Sequence, residues 1–357
     1  MWNDNAFTRN VNIRYPIVQA GMAGGITTPE LVSAVSNNGG LGMLGAGYLQ
    51  PEQMQEAIRR IKEKVVHPFG VNLFVPENPT ASQEEIDQAN KQLEPYRKEL
   101  NITKELDPQP SSIDLFENQL DIVLEEKVPV CSFTFGIPSK ETIDLLKKNG
   151  ITVIGTATTV DEALLNQERG MDMVVVQGSE AGGHRGTFSG PLEETMIGTM
   201  ALVPQVVDHI RIPVIASGGI MDGRGVLAAF ALGADAAQMG TAFVTSEESG
   251  AHFKHKEAIL NSSEKAPVVT SAFSGKPARG INNAFIRNMK HHHDSFLPYP
   301  LQHTLTKKIR AEAANQQMTE WMSLWCGQGP RLSRNSPVRT IISDIISQVE
   351  TQRNLLR

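Results

Sequence analysis

Cysteine is scarce in this chain. Its 357 residues include only Cys131 and Cys326, which lie far apart and outside any paired motif. This usage is typical of a reducing compartment, so both thiols are predicted to be free and the protein to be cytoplasmic. No base is near Cys131 in the sequence, and we interpret it as a small apolar residue inside a strand.

The chain also lacks a strong excess of charge of one sign and any long apolar run. Charged residues make up 20% of the chain, mixed in sign, with a net charge of −6. This balance argues against binding to nucleic acid or to an anionic membrane surface. No apolar run approaches the roughly 20 residues of a membrane span, and the N-terminus predicts no signal peptide. The 40% of hydrophobic residues can bury one large core and an appendage.

What the chain does contain is a repeated unit of a short apolar strand followed by a helix. Most strands are apolar throughout, as expected when both faces of a parallel strand are covered. Thr28 and Pro29 open the first helix and Gly39 ends it. Eight strands with right-handed crossovers favour a (β/α)8 TIM barrel, an α/β fold, over an open sheet. The predicted strands are 17–19, 41–44, 69–73, 128–133, 152–156, 173–177, 214–217 and 236–239.

Two segments interrupt this rhythm and divide the chain into three parts. We assign residues 1–75 and 127–245 to the barrel and residues 76–126 to an insertion at its edge. Residues 246–357 are predicted to be an extension of helices and loops that packs on the barrel and helps to form the substrate pocket. The stretch 241–276 is predicted to be helix and loop.

Helices dominate both interruptions: the first helix of the insertion is polar, and the two long helices of the extension are amphipathic. The insertion is predicted to hold helices at 82–100 and 112–125, joined by the Pro-rich residues 107–110. The extension is predicted to hold long helices at 304–325 and 338–353. These last helices could pack on the barrel or on a second chain, so the sequence leaves both a monomer and a homodimer open.

Glycines follow the seventh and eighth strands, where TIM barrels commonly build a phosphate site. Paired glycines let backbone N–H groups approach phosphate oxygens, and hydroxyl groups and a following helix N-terminus can add to the site. The alternative is that these glycines only form turns. Two such turns at the seventh and eighth positions favour a phosphorylated ligand. Their residues are Ser217, Gly218, Gly219, Gln238, Met239, Gly240 and Thr241.

Gly40, Gly42 and Gly45 match the dinucleotide fingerprint G-x-G-x-x-G. In a Rossmann fold that motif follows a strand and opens a helix. Here it follows a helix, and its interior has the character of a strand. We therefore interpret it as the second strand, whose small residues would let a flat ligand lie across the barrel mouth.

The segment after strand six, Gln177 to Gly186, is the richest in polar groups. It brings an amide, a carboxylate, an imidazole and a guanidinium to a glycine-rich loop above the barrel. Gln177 is placed to bond the edge of a flat ring, and His184 has a pKa range that suits proton transfer. The alternative for His184 is a loop residue bonded to a carbonyl group.

Two further barrel loops are candidates for ligand contacts. Asn72 interrupts the apolar third strand at its end, and its amide either bonds a ligand ring or forms an ordinary turn. Gly21, Met22 and Ala23 follow the first strand and offer backbone groups and a polarisable side chain.

No metal site is predicted. His291, His292 and His293 are adjacent, so they cannot all point at one ion on a regular element. His252 and His255 could share a helix face, but no carboxylates lie at ligand spacing. We interpret all five as solvated loop or helix surface.

Taken together, these motifs closely resemble the nitronate monooxygenases, also called 2-nitropropane dioxygenases. The resemblance continues into the tail and spans nearly the whole chain. The His-Arg-Gly form of the loop and the tail motifs are its specific parts. The matching segments are 19–23, 70–73, 177–186, 216–220, 238–241, 278–285, 299–300 and 325–329.

The resemblance implies a non-covalently bound FMN and a catalytic His184. It implies flavin contacts from Asn72, Gln177, Gly182, Gly219 and the 238–241 turn, with the backbone of residues 21–23 beside the ring. It also implies oxidation of alkyl nitronates by O₂ to a carbonyl compound and nitrite, without NAD(P)H or a metal.

Two other functions stay open at this stage. The first is an FMN- and NAD(P)H-dependent enoyl-acyl-carrier-protein reductase, which shares the barrel and a similar Gly-Gly-His loop. Arg185, Tyr299-Pro300 and the 325–328 motif favour the monooxygenase over it. The second is a flavin-free phosphate-binding barrel, acting as a lyase, an isomerase or a binding module.

Overall fold

The eight predicted strands form one closed parallel barrel. The structure, a computed structural model, describes residues 2–103, 108 and 113–355. The first and the last barrel strands in the sequence, residues 17–19 and 236–239, pair with each other and so close the ring, with Val18 opposite Gln238. The predicted TIM barrel is therefore confirmed. Its strands are β1 Ile17–Gln19, β2 Leu41–Gly45, β3 Phe69–Phe74, β4 Val130–Thr134, β5 Thr152–Ala157, β6 Met173–Gln177, β8 Val214–Ser217 and β9 Ala236–Met239, and a separate antiparallel sheet contains β7 Gly183–His184, β10 Pro267–Thr270 and β11 Ala278–Ile281.

The helices begin and end close to their sequence signals. The Thr28 hydroxyl accepts a hydrogen bond from the Leu31 amide at 3.0 Å, and Gly39 follows the end of that helix with φ 87°. The helices are α1 Ala6–Val11, α2 Pro29–Asn37, α3 Pro51–Lys64, α4 Gln83–Glu99, α5 Ile113–Glu125, α6 Lys140–Lys148, α7 Val160–Arg169, α8 Leu192–Thr195, α9 Thr199–His209, α10 Gly223–Ala231, α11 Thr241–Val244, α12 Phe253–Leu260, α13 Ala284–Met289, α14 Leu301–Asn315 and α15 Val338–Leu355.

One end of the barrel is closed by α1. Phe7 and Val11 are buried and pack with inward-facing residues of the strands, among them Val18, Met43 and Ile215. Because this cluster fills the lower part of the barrel, a ligand has room only at the other end, where the strands run out.

The insertion and the tail cover the outside and the mouth of the barrel. Helix α5 packs on α3 and β3, whereas α4 packs on α14 of the tail. Helix α15 lies against α10 and α2, and its apolar side joins the barrel core. Of the predicted Pro-rich joint only Pro108 is described; residues 104–107 and 109–112, including the predicted helix start at Ser112, lie outside the described residues.

Two predictions for the tail were wrong. The helix predicted to run to residue 325 ends at Asn315, because Gln317 takes a left-handed conformation with φ 58° that a helix cannot continue through. The stretch 241–276 contains β10 in addition to helix and loop, and β10 pairs with β11. No helix in the described ranges is both long and apolar enough to cross a membrane.

Candidate active site

A cavity lies at the carboxyl ends of the barrel strands, where the loops after β6, β8 and β9 meet. His184 lines this cavity together with Gly218, Gly219 and Gly240. The predicted site residues that line it are Gly21, Met22, Ala23, Asn72, Gln177, Gly182, His184, Ser217, Gly218, Gly219, Gln238, Gly240 and Thr241.

Met239 is the predicted site residue that does not line the cavity. Its side chain is 1% exposed and packs in the core against the helices. Successive side chains of a strand point to opposite faces, so Gln238 faces the barrel interior and Met239 faces outward. The spacing along the chain could not separate the two residues until the strand register was known.

The turns after β8 and β9 leave backbone donors free. Gly218 and Gly219 have φ values of 110° and 73°, which favour glycine. Within the described part of the chain, the N–H groups of Gly218, Gly219, Gly240 and Thr241 donate to no protein acceptor. Four free donors on one cavity wall suit the oxygens of a phosphate group.

Side chains around these turns have mixed roles. Ser217 and Thr241 are buried at the cavity edge, and the Thr241 hydroxyl accepts a bond from the Gly327 amide at 2.9 Å, which leaves its proton free to donate. The N-terminus of α10, which sequence reasoning offered as a source of positive charge, is already capped by Asp222. A phosphate site here would therefore depend on the glycine turns.

Glycines of the second strand serve packing, and they do not line the cavity. A Cβ on Gly42 would lie 2.2 Å from the Val32 carbonyl oxygen, and one on Gly45 would lie 2.5 Å from the Ala23 nitrogen. These glycines therefore let α2 and the loop after β1 approach the strand closely. The interpretation as a strand is confirmed, whereas the proposed role in leaving room for a ligand was wrong.

The side chain of Asn72 is held by hydrogen bonds from its amide nitrogen, and its amide oxygen faces the cavity without a protein partner. Its Nδ2 donates to the Ser132 hydroxyl at 2.9 Å and to the Thr134 hydroxyl at 3.1 Å. Its Oδ1 has no protein partner and is not sealed by protein atoms. Gly21 packs against it, where a Cβ would come within 2.6 Å of the Asn72 Cβ. The open oxygen can accept a hydrogen bond from a ligand ring.

Gln177 organises the loop that follows it. Its Oε1 accepts bonds from the Gly186 amide at 2.8 Å and from Arg185 at 3.1 Å, and its Nε2 donates to the His184 carbonyl at 3.1 Å. The second Nε2 proton is left for a ligand. The position above the barrel was predicted, but the loop contacts were not visible in the sequence.

Arg185 lies beneath the loop, in contrast to its predicted place at the mouth. It is 1% exposed and donates to the carbonyl groups of Gly178 at 2.7 Å and Thr195 at 2.8 Å. Burial lowers its pKa to about 10, so it stays charged at neutral pH. A buried cation satisfied by carbonyl groups ties the loop to the segment that precedes α9.

Glu162 on α7 is a second anchor that sequence reasoning missed. It is fully buried, and its carboxylate accepts bonds from the amides of Thr158 at 2.6 Å, Phe188 at 2.7 Å and Ser189 at 2.9 Å. The Thr187 hydroxyl donates to it at 2.9 Å. Nothing in the sequence around Glu162 predicted this role, although it lies four residues after Thr158 at the end of a strand. The loop segment that it binds, residues 187–189, is about 25 residues further along the chain.

His184 sits in an extended segment, β7, that pairs with Ala278 of the tail. Aromatic rings surround it: Phe135, Tyr299 and Trp325 have ring centroids 5.7, 6.0 and 5.4 Å away. Burial, together with the nearby charges of Arg310 and Lys276, lowers its pKa to about 3. The imidazole is therefore neutral throughout the physiological range and can accept a proton.

A second chamber adjoins the cavity on the other side of His184, and no sequence motif indicated it. Tyr48 stacks on His303 with centroids 4.4 Å apart, and Arg310 donates to the His303 carbonyl at 3.0 Å. Burial lowers the pKa of His303 to about 2. In the described residues no carboxylate pairs with Arg310, whereas Lys276 pairs with Glu77 at 2.6 Å. This chamber therefore carries positive charge beside the imidazole.

The other histidines differ in their surroundings. His291, His292 and His293 are exposed, as interpreted. His255 was wrongly interpreted as surface: it is 5% exposed and its Nε2 lies 2.9 Å from the Trp325 carbonyl oxygen. Across the described ranges, no group of three His, Cys, Asp or Glu side chains could hold a metal ion. Cys131 is fully buried in β4, as predicted.

Comparisons with known proteins identify relatives of the whole chain. The family model described as nitronate monooxygenase matches residues 5–348. A probable nitronate monooxygenase of Staphylococcus haemolyticus is 50% identical, covering 100% of both chains. The solved nitroalkane oxidase of Streptomyces ansochromogenes is 38% identical with a TM-score of 0.92, covering 99% of this chain and 100% of that one. FabK of Thermotoga maritima is 33% identical with a TM-score of 0.79, covering 99% and 98%.

Both the family model and the relatives therefore extend over almost the whole chain, barrel and tail alike. The loop with His184 and the glycine turns after β8 and β9 lie within the matched residues. This chain belongs to the nitronate monooxygenase family.

Proposed function

We propose that this protein oxidises alkyl nitronates with O₂ to a carbonyl compound and nitrite, using non-covalently bound FMN. The observation that carries the proposal is the convergence of His184 and the glycine turns after β8 and β9 on one cavity. Family membership supports the reaction class.

The residues present fit FMN. The four free N–H groups of Gly218, Gly219, Gly240 and Thr241 suit its phosphate. The open Oδ1 of Asn72 and the spare Nε2 proton of Gln177 offer one acceptor and one donor to the ring. When bound, the flavin supplies the redox chemistry of the reaction.

His184 would act on the substrate from its own side of the cavity. The neutral imidazole can accept the α-proton of a nitroalkane, and the surrounding rings of Phe135, Tyr299 and Trp325 exclude water. The positive charge of Arg310 in the adjoining chamber favours an anionic substrate such as a nitronate.

We also propose that the tail completes the pocket. Trp325, Gly327, Gln328 and Gly329 line the cavity, which supports a division into barrel (1–75 and 127–245), edge insertion (76–126) and extension (246–357). A cytoplasmic location and a homodimer stay predictions.

The test is the substitution His184→Ala in the FMN-loaded enzyme. We expect the FMN absorption spectrum to be kept and most turnover of nitroethane, whose α-proton His184 would accept, to be lost, measured by O₂ uptake and nitrite release. His209→Ala, the same change at an exposed position on α9, is the matched control. Full activity in the His184 variant would remove this residue from the mechanism.

Anaerobic mixing separates the proposed function from the alternatives. Bleaching of the flavin by propionate 3-nitronate supports the monooxygenase, whereas bleaching by NADH alone would indicate an enoyl-acyl-carrier-protein reductase. Colourless protein that takes up no FMN would instead indicate a flavin-free phosphate-binding barrel.

A further inference from the structure

Ser274 is the direct hydrogen-bond partner of the His184 ring. It lies between β10 and β11, is 2% exposed, and its Oγ is 2.8 Å from His184 Nε2. The same hydroxyl donates to the Lys276 carbonyl oxygen at 3.0 Å and accepts from the Lys276 amide at 3.3 Å.

The number of protons decides which atom donates in the His184–Ser274 pair. A serine hydroxyl has one proton and two lone pairs. In the described part of the chain, the Lys276 carbonyl oxygen has no other donor, so the hydroxyl proton is directed to it. Ser274 Oγ therefore accepts from His184, and Nε2 must carry the hydrogen.

A neutral imidazole has a single N–H, so the other nitrogen of His184 is bare. Nδ1 makes no hydrogen bond to any described residue and is not sealed by protein atoms. It is therefore the nitrogen from which the ring can accept a proton from a bound molecule.

The turn that carries Ser274 is itself held from several sides. The amides of Ser274 and Gly275 donate to the Ser271 carbonyl at 3.2 and 2.8 Å. Gln302 on α14 donates to the Ala272 carbonyl at 3.0 Å, and Thr306 on the same helix bonds the Phe273 carbonyl. These contacts fix the position of the Ser274 hydroxyl relative to the His184 ring.

We propose that Ser274 is a positioning residue that holds His184 in the Nε2–H tautomer and so makes Nδ1 the proton acceptor of the site. The inference rests on the proposed function. In the step concerned, the α C–H bond of a neutral nitroalkane breaks and its proton forms an N–H bond at Nδ1. The electron pair of the C–H bond moves into the nitro group, which gives the nitronate.

The imidazolium formed in this step keeps its Nε2–H bond to Ser274. It lies beside the newly formed anion, and that attraction offsets the burial and the nearby charges of Lys276 and Arg310, which disfavour the cation in the free site. A nitronate offered directly needs no such proton transfer, so the two substrates separate the role of Ser274 from the rest of the reaction.

The tautomer can be measured directly by ¹⁵N NMR of the FMN-loaded enzyme with labelled histidine, assigned by comparison with His184→Ala. We expect His184 to show a protonated Nε2 and a bare Nδ1, and Ser274→Ala to populate both tautomers. Ser274→Thr keeps the hydroxyl and should restore the single form. A wild-type ring protonated at Nδ1, or a Ser274→Ala spectrum identical to wild type, would overturn the proposal.

Kinetics give an independent readout. We expect Ser274→Ala to lower kcat for nitroethane by on the order of tenfold to a hundredfold, the effect of losing one hydrogen bond to a charged group, with a small change in KM. Turnover of propionate 3-nitronate should change far less, and Ser274→Thr should recover much of the nitroethane rate. Ser271→Ala removes a hydroxyl from the same turn without touching this pair and is the matched control.

The outcomes separate this inference from the proposed function. Equal losses for both substrates in Ser274→Ala, or a wild-type enzyme that oxidises the nitronate but never nitroethane, would refute the positioning role alone. A wild-type enzyme that oxidises neither substrate would refute the proposed function, while the NMR measurement would still decide the tautomer. Retention of the FMN spectrum in each variant shows that the site has folded.

Discussion

Mild acid should destabilise this protein strongly, because three of its histidines are buried in the neutral form. Burial lowers the pKa of His184 to about 3, of His255 to about 4 and of His303 to about 2. In the unfolded chain each would have a pKa of about 6.5. Below pH 6.5 these histidines are therefore protonated in the unfolded state but stay neutral in the folded state.

The direction and size of the effect follow from proton linkage. Because the folded pKa values are lowered, the unfolded state binds more protons, and the free energy of unfolding falls as the pH falls below about 6.5. Each histidine contributes about 1.4 kcal/mol per pH unit until its folded pKa is reached, so three contribute about 4 kcal/mol per unit. At pH 5 the loss is about 6 kcal/mol, a large share of the usual 5–15 kcal/mol.

The assay is urea unfolding at a series of pH values from 7 to 5, with FMN at constant excess. His255→Gln is the matched variant, because a glutamine amide can still donate to the Trp325 carbonyl but does not titrate. We expect its pH dependence to be about one third shallower than that of the wild type. A flat profile between pH 6.5 and 5, or an equal slope in the variant, would show that these histidines titrate in the folded protein and would refute the argument.

Three further substitutions test the loop anchors and the glycine turn. Glu162→Gln should lower the free energy of unfolding by about 2–4 kcal/mol, since several buried donors lose their charged acceptor; an unchanged urea midpoint would contradict this. Arg185→Lys should cost about 2 kcal/mol and loosen the loop, because a lysine cannot reach both carbonyl groups; proteolysis of the loop at an unaltered rate would count against it. Gly219→Ala should weaken FMN binding about tenfold, because φ 73° strains alanine and its Cβ would lie 3.3 Å from the Glu180 Cβ. Titration followed by flavin fluorescence measures the Kd for FMN. A Kd equal to that of the wild type would show that the turn does not bind the phosphate.

The barrel could be predicted because its signals are local. Each strand is a short apolar run, and each helix carries its own start and stop residues, as Thr28, Pro29 and Gly39 show for α2. The failures were also local in cause. The tail helix ends at Asn315 with no glycine or proline to mark the position, and β10 is too short and too polar at its edges to stand out beside helix signals.

Part of the candidate site could likewise be predicted from the sequence, and part of it could not. Glycine turns and His184 could be placed because TIM barrels gather the loops after their strands at one end. Met239 was misplaced because strand register decides which of two adjacent residues faces inward. Glu162 and Ser274 were missed since their partners are distant in sequence, and only folding brings them together. Arg310 was missed because its bonds lie within its own helix and only folding places that helix beside the chamber next to His184.

From the sequence alone, then, came the order of strands and helices, the closed barrel, and the loops that carry the polar groups, because these depend on residue type and spacing over a few positions. Only the tertiary structure decided that Arg185 supports the loop from beneath, that His184 is neutral among aromatic rings, and that Ser274 sets which of its nitrogens is bare. Burial and hydrogen-bond partners create these properties, and both arise from contacts between segments far apart along the chain.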